Sequence, residues 1–358
     1  MSTAKPGNNR LAWIDYARGI AIILVLYRHI FEGISRSGVE ATQFSWLENA
    51  NIIFYSFRMP LFFILSGVFI GKSLAKRGMK NLIINKFNIL LYPYLLWSAL
   101  QITIQICLSG LVNANRGIAD YGYIFLFPRR IDQFWYLYAL FNVTVLYILT
   151  KEKLHLKIWH QLVIGFAAYM YSSYVSVHHI DLGFIYDICH FYLFFAIGEL
   201  IADQILDGNK YPLYSSWGLF WILLPFFAAG QYYFLVTNLN NQYNLFVEEH
   251  QPILFALIAL VGCAFMINIS FLLQRYGSVK LLRVAGFHSL YIYVSHVLVA
   301  SAVRMCLVKV FHITYLPVLL AICLCFAVVI PILLYKAAMR AGAWWLYSLE
   351  KPMELKLS

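Results

Sequence analysis

Charge is scarce in this sequence. Of its 358 residues only 12% are Asp, Glu, Lys or Arg, while 62% are hydrophobic, a balance that excludes an ordinary soluble fold. Acids are the scarcer sign, 16 against 27 basic residues, which leaves a formal net charge of +11. Such a surplus can serve nucleic-acid binding, but here its placement along the chain points to membrane orientation instead. No internal repeat, low-complexity linker or connection long enough for a soluble domain is present, so residues 1–358 read as a single domain with short tails at 1–10 and 337–358. No small-residue cleavage pattern follows the first apolar run, so that run is expected to be retained. The six cysteines, Cys107, Cys189, Cys263, Cys306, Cys323 and Cys325, all fall in apolar stretches. They read as small packing residues and not as a disulfide framework. No compact set of metal ligands occurs, and no metal is expected.

What the chain does have is long apolar runs. Ten of them, at about 11–34, 50–71, 87–111, 133–150, 158–176, 184–203, 213–236, 252–273, 284–307 and 314–336, predict an all-α, polytopic membrane bundle. Ten spans put both termini on one side. The tails and even-numbered connections hold eighteen of the basic residues and the opposite connections six, which predicts cytoplasmic termini.

Ionisable residues inside such runs are costly, and each one is by default a functional question. The first run, LAWIDYARGIAIILVLYRHIF, carries Arg18 and His29. Eleven residues return a helix to within roughly 20° of its starting direction, about 16 Å further along. The two therefore share a face. Arg18 has a structural alternative, a lock onto Asp15 three residues back. Guanidinium suits phosphate recognition, and imidazole suits general-base work or transient group transfer. The second run contains FRMPLFFILSG, in which Arg58 precedes a helix-interrupting Pro60, and Ser66 and Gly67 permit close approach by a neighbouring helix or a ligand. A basic stretch, Lys72 to Lys86, reads as a connection lying against anionic lipid, with Lys86 placed to reach a phosphate beside Arg18. Arg129, Arg130 and Asp132 precede QFWYLYALF, where Trp135 and Tyr136 form either an aromatic belt or a platform for a sugar ring. The loop TNLNNQYNLFVEEHQ is polar and could help select an acceptor. In the ninth run Ser289, Tyr293 and His296 form a polar stripe.

Together, Arg18-x10-His29 within WIDYARGIAIILVLYRH, the FRMPLFFILSG block, QFWYLYALF and HSLYIYVSH resemble the acyltransferase 3 family of membrane-bound acyltransferases, and within it the branch similar to fucose 4-O-acetylases. The blocks run in order through the whole membrane region. The resemblance implies transfer of an acetyl group from cytoplasmic acetyl-CoA, a co-substrate and not a resident cofactor, to a hydroxyl of a surface carbohydrate or lipid-linked glycan, in the inner membrane. It implies Arg18 and His29 as the essential pair. Arg58 stands where similar sequences often have His, and Lys86 where arginines are common. The donor would lie against Arg18, Arg58, Ser66, Gly67 and Lys86, and the acceptor against Trp135, Tyr136 and Arg130. Asp15, Ser289, Tyr293 and His296 would support catalysis, and a continuous passage would join Arg18 to His29. The expected partners are these two substrates and the lipid bilayer, not nucleic acid. A glycan or lipid transporter, or a non-catalytic scaffold, would also carry intramembrane charges and Pro-broken helices.

Overall fold

A computed structural model of the chain describes residues 11–39, 42–108 and 116–351. The expected tail 1–10 and the end of the other tail, 352–358, lie outside the described residues. Helix α1 (Ala12–Ser35) is followed by α2 (Ser45–Ile53), α3 (Tyr55–Gly67), α4 (Ile70–Lys86) and α5 (Tyr92–Cys107). A short α6 (Tyr123–Leu126) and two tight turns lead into α7 (Trp135–Glu152), α8 (Ile158–Val177) and α9 (Phe184–Leu200). The short α10 (Ala202–Ile205) and α11 (Tyr211–Tyr214) precede α12 (Trp217–Asn240), α13 (Phe246–His250) and α14 (Pro252–Tyr276). The described chain closes with α15 (Lys280–Phe287), α16 (Ser289–Met305) and α17 (Leu316–Arg340).

Among the described residues all ten apolar runs are largely helical, residues 109–111 of the third lying outside them, and by length and composition seven helical stretches are long and apolar enough to cross a membrane. The other three are α1, α8 and α9. α1 carries Asp15, Arg18, Arg28 and Glu32, α8 is rich in Tyr and Ser, and α9 has 17 residues. The connection Lys72 to Lys86 is itself helical. It forms α4 and runs through a π-helical turn at Phe87–Leu91 into α5, a helical stretch of 38 residues. Straight-chain lysines lose little rotamer freedom in a helix, so a basic sequence without Pro can stay helical. Gly78, at φ 70°, supplies the kink within α4.

α1 is the central helix. It packs against α3, α14, α15, α16 and α17, and its buried residues lie on several sides of its axis. Such all-round burial is what an interior helix requires. Its contact with α15 is backbone to backbone. A Cβ on Gly286 would lie 1.7 Å from the Asp15 carbonyl oxygen, and one on Gly19 would lie 2.1 Å from that of Leu282. Small residues at such crossings let helices approach where lipid offers no hydrophobic drive. α3 meets α9 in the same way through Gly67 and Gly198. These contacts fix the height at which the ionisable residues of α1 face those of α3 and α16. Replacing Gly286 by Val should therefore cost at least the roughly 1–3 kcal/mol of an overpacked core, seen as a lower melting temperature of the detergent-purified protein.

Candidate active site

The half of α1 beyond Val25 borders a cavity of about 380 Å³. Val25, His29, Glu32 and Arg36 follow one another at helical spacing along its wall, so the face that carries His29 is turned inward. α3 contributes Tyr55, Ser56, Arg58 and Pro60, α5 contributes Gln101 and Gln105, and α16 contributes Tyr293 and Val297. Pro60 sits in the α3 turn next to the cavity, where the Cys263 thiol of α14 donates to the Phe57 carbonyl at 3.5 Å.

His29 meets His296 there, with ring centroids 5.4 Å apart. His296 is fully buried, and its Nδ1 lies 2.8 Å from the Tyr293 carbonyl. A carbonyl only accepts, so Nδ1 carries the proton and Nε2 keeps its lone pair. That Nε2 has no hydrogen-bond partner among the described residues. The stripe foreseen in α16 thus brings Tyr293 and His296 to His29. Ser289, at the first residue of α16, lies about 10 Å back along the axis and does not line the cavity. Arg58 is only 2% exposed, with the Leu24 carbonyl at 3.5 Å and the Tyr55 ring at 5.1 Å. It stands at the level of His29 and not beside Arg18. Ser66, eight residues further along α3, is about 12 Å away along the axis.

Arg18 lies at the other level. Its charge acts on Lys86 and on Tyr136, whose hydroxyl meets that of Ser66. Arg18 is therefore within electrostatic reach of Lys86 and Tyr136, and Tyr136 links to Ser66. Tyr136 packs between Phe62, Phe63 and Tyr293, off the cavity and apart from the external residues it was grouped with. Neither Arg18 nor Lys86 lines the His29 cavity, so the expected passage from Arg18 to His29 is not part of that cavity; the Tyr136 ring meets that of Tyr293 at its edge. Gly67 offers no room to a ligand, because the Phe195 carbonyl of α9 occupies the place of its missing Cβ. Asp15 is fully buried beneath α15.

The far wall of the cavity is richer than its sequence suggests. Trp135 lines it, but the Arg129 guanidinium lies 4.6 Å over its ring and Phe191 stacks on it at 5.6 Å, so it is not an open platform. Arg129, not Arg130, faces this cavity. Its Nε pairs with Asp187 at 2.7 Å, while Arg130 pairs with Asp181 at 2.9 Å on the exterior. On the same wall a fully buried pair forms, His190 Nε2 to Glu248 Oε1 at 3.1 Å. His190, Asp187 and Glu248 carry no short-range motif, yet His190 and Asp187 break an apolar run just as His29 does, and Glu248 belongs to the polar loop read as acceptor-selective. Gln101, Gln105 and Arg116 gather on Asp132, and the Tyr293 hydroxyl donates to the Gln133 carbonyl, which ties this wall to α5 and α16.

The sequence pattern of the acyltransferase 3 family, described as an acyltransferase domain, matches residues 11–336. The chain is similar to the nodulation protein NolL of Mesorhizobium japonicum, 26% identical over 221 residues, covering 62% of this chain and 55% of that protein. It is likewise 25% identical over 226 residues to NolL of Sinorhizobium fredii, covering 61% of this chain and 58% of that one. The match thus spans little more than half the length of these relatives. No solved structure matches.

Burial alone would raise the Glu248 carboxyl above its ordinary 4.5, but the His190 hydrogen bond and charge, the Tyr55 hydroxyl and the Arg129 charge hold it below that value. A folded value beneath the unfolded one means that Glu248 contributes stability above pH 4.5 or so, lost as pH falls through the folded value. Thermal melts of detergent-purified protein from pH 6 to pH 3 should show this. The wild type should lose melting temperature on acidification more steeply than Glu248→Gln, the two converging at the acid end.

Proposed function

Because this chain belongs to the acyltransferase 3 family, we propose that it is a multi-pass membrane O-acyltransferase that moves an acetyl group from acetyl-CoA to a hydroxyl of a carbohydrate or lipid-linked glycan. The observation that carries this reading is the placement of His29: an imidazole on the inward face of α1, in a polar cavity, three helical turns from a cationic cluster on the same helix face. The basic bias of the tails and even-numbered connections supports a cytoplasmic position for the Arg18 end, and residence in the cytoplasmic membrane.

In this reading the CoA phosphates rest against Arg18 and Lys86. Guanidinium can engage a phosphate through two parallel N–H groups, and Lys86 adds a second positive charge. The pantetheine arm passes the Tyr136–Tyr293 ring pair and presents the thioester to His29. His29 takes the proton of the acceptor hydroxyl as its oxygen attacks the thioester carbonyl. The carbonyl oxygen gains negative charge, and Arg58, buried at the same level, is the cation that stabilises it. The C–S bond then breaks, and the departing CoA sulfur takes the proton from His29, which returns to its neutral form. Free enzyme, acetylated alcohol and CoA thiol balance the equation. His296, fixed by the Tyr293 carbonyl, orients His29. This assigns Arg58 to the reacting carbonyl and not to the phosphates.

Membrane vesicles supplied with labelled acetyl-CoA on the face of the chain termini should yield acetylated glycan. His29→Ala should lower turnover by about 10²–10⁴-fold, the usual worth of a general base, while the protein still inserts. Arg18→Ala should raise the acetyl-CoA KM by about tenfold, the weight of one charge-assisted contact. Arg58→Ala should lower kcat with CoA affinity unchanged. Normal acetylation by His29→Ala, or movement of unmodified glycan without consumption of acetyl-CoA, would contradict the assignment, the second outcome being that of a transporter.

A further inference from the structure

The charges lining the His29 cavity do not balance. Five arginines border it and only three carboxylates, and each of those carboxylates is already engaged. Glu32 pairs with Arg28 at 2.6 Å, Asp132 takes Arg116 from outside the cavity at 3.6 Å, and Glu248 meets both His190 and the Tyr55 hydroxyl. Of the arginines, Arg129 is matched by Asp187 at 2.7 Å. Arg36, Arg58 and Arg304 have no ion pair among the described residues.

Arg58 stands at the level of His29 and has its place in the proposed transfer step. Arg36 and Arg304 have none. Seven residues past His29, Arg36 lies about 10 Å further along α1 on nearly the same face, and Arg304, eight residues past His296, lies about 12 Å further along α16. The two helix ends meet there, because Arg304 Nη1 donates to the Gly33 carbonyl of α1. Only glycine permits that contact, since a Cβ at position 33 would lie 2.7 Å from Arg304 Nη1. Arg36 is exposed and Arg304 partly buried, as suits the rim of a cavity. Capping of α1 explains part of this arrangement. The C-terminal end of a helix carries roughly half a negative charge, however, and two full positive charges exceed it. A surplus of guanidinium at a cavity rim suits an anion.

We propose that the acceptor taken into this cavity is an anionic glycan, its carboxylate or phosphate group held by Arg36 and Arg304 at the rim while one of its hydroxyls, further in, faces His29. Guanidinium engages either oxyanion through two parallel N–H groups, so the two share one recognition chemistry. The rim determines specificity and does not touch the reacting atoms. This rests on the acyltransferase reading for the hydroxyl at His29, but binding of the anion does not require transfer. An amino sugar, carrying positive charge, would meet like charge at the same place.

The test is binding without chemistry. Protein in phosphatidylcholine nanodiscs, whose headgroups carry no net charge, is titrated through its tryptophan fluorescence, Trp135 being part of the cavity lining. The probes are a methyl hexoside, a methyl hexuronide, a hexose 1-phosphate and a methyl hexosaminide, and separately CoA. At least one of the two anionic sugars should bind about tenfold or more tightly than the neutral one, the weight of one charge-assisted contact. Which of them binds tighter identifies the group as carboxylate or phosphate. The hexosaminide should bind most weakly, and the advantage of the anion should shrink as salt is raised. Arg36→Gln and Arg304→Gln should each remove most of that advantage with neutral-sugar and CoA affinity unchanged, and Arg304→Lys should restore part of it. Arg36 is exposed, so its variant reports even where loss of the Arg304 contact unfolds the protein. His29→Ala should keep the preference. Equal affinity for neutral and anionic sugars, no binding of any sugar, or an advantage unchanged in either variant when folded would overturn the proposal. So would a loss of CoA affinity in these variants, which would make the rim a donor site. Absence of acetyl transfer with the binding results as expected would instead count against the catalytic assignment alone.

Discussion

An ionisable side chain inside an apolar bundle must meet an opposite charge, a hydrogen-bonding partner or a polar cavity, because bare burial of a charge costs several kcal/mol or more. That requirement organises this molecule. The charges of α1 cannot face lipid, so α1 is the innermost helix, and the small residues Gly19 and Gly286 bring α15 against it closely enough to hold it there. Around it the remaining helices turn their own polar residues toward the same axis. The outward faces of helices such as α12 carry Trp221, Ile222 and Phe226, which suit a lipid surround.

The polar interior is divided into two levels. Arg18, Lys86, Tyr136 and Ser66 make up one, and the cavity around His29, Arg58, Tyr293 and the outer wall makes up the other. The division suits a reaction between two reagents that differ in kind. A nucleotide's phosphates call for cations, and the first level holds Arg18 and Lys86. An alcohol needs a base and hydroxyl-reading groups, and the second level has an imidazole, a buried guanidinium and a wall of matched ion pairs. The Tyr136–Tyr293 ring pair lies where they meet. In the proposed reaction, rings packed there would keep water on one side from a thioester on the other.

How much of this the sequence revealed depends on how local the cause is. Arg18 and His29 were legible because eleven residues of one helix fix their relation without reference to anything else, and Tyr293 and His296 for the same reason. Contacts between distant segments were not legible. Nothing in HFYLFFAIG tells that His190 will meet Glu248, 58 residues on, and nothing in FPRR tells that Arg129 turns inward while Arg130 turns out. That choice is made by the tight turns before α7 and by the Asp187 carboxylate. Trp135 and Tyr136 are adjacent in sequence, and about 100° of helix rotation sends them to different levels of the bundle. Lys72–Lys86 reads as a connection because its charge separates two apolar runs, and it is helical all the same, lysine being a sound helix former.

The claim on which the account turns is that one CoA molecule reaches across both levels of α1. A cryo-electron microscopy structure of the protein with CoA tests it most directly. The account predicts the diphosphate between Arg18 and Lys86, the Tyr136–Tyr293 ring pair moved aside, and the thiol within reach of His29. A diphosphate bound elsewhere, or a thiol that ends short of the His29 cavity, would contradict it.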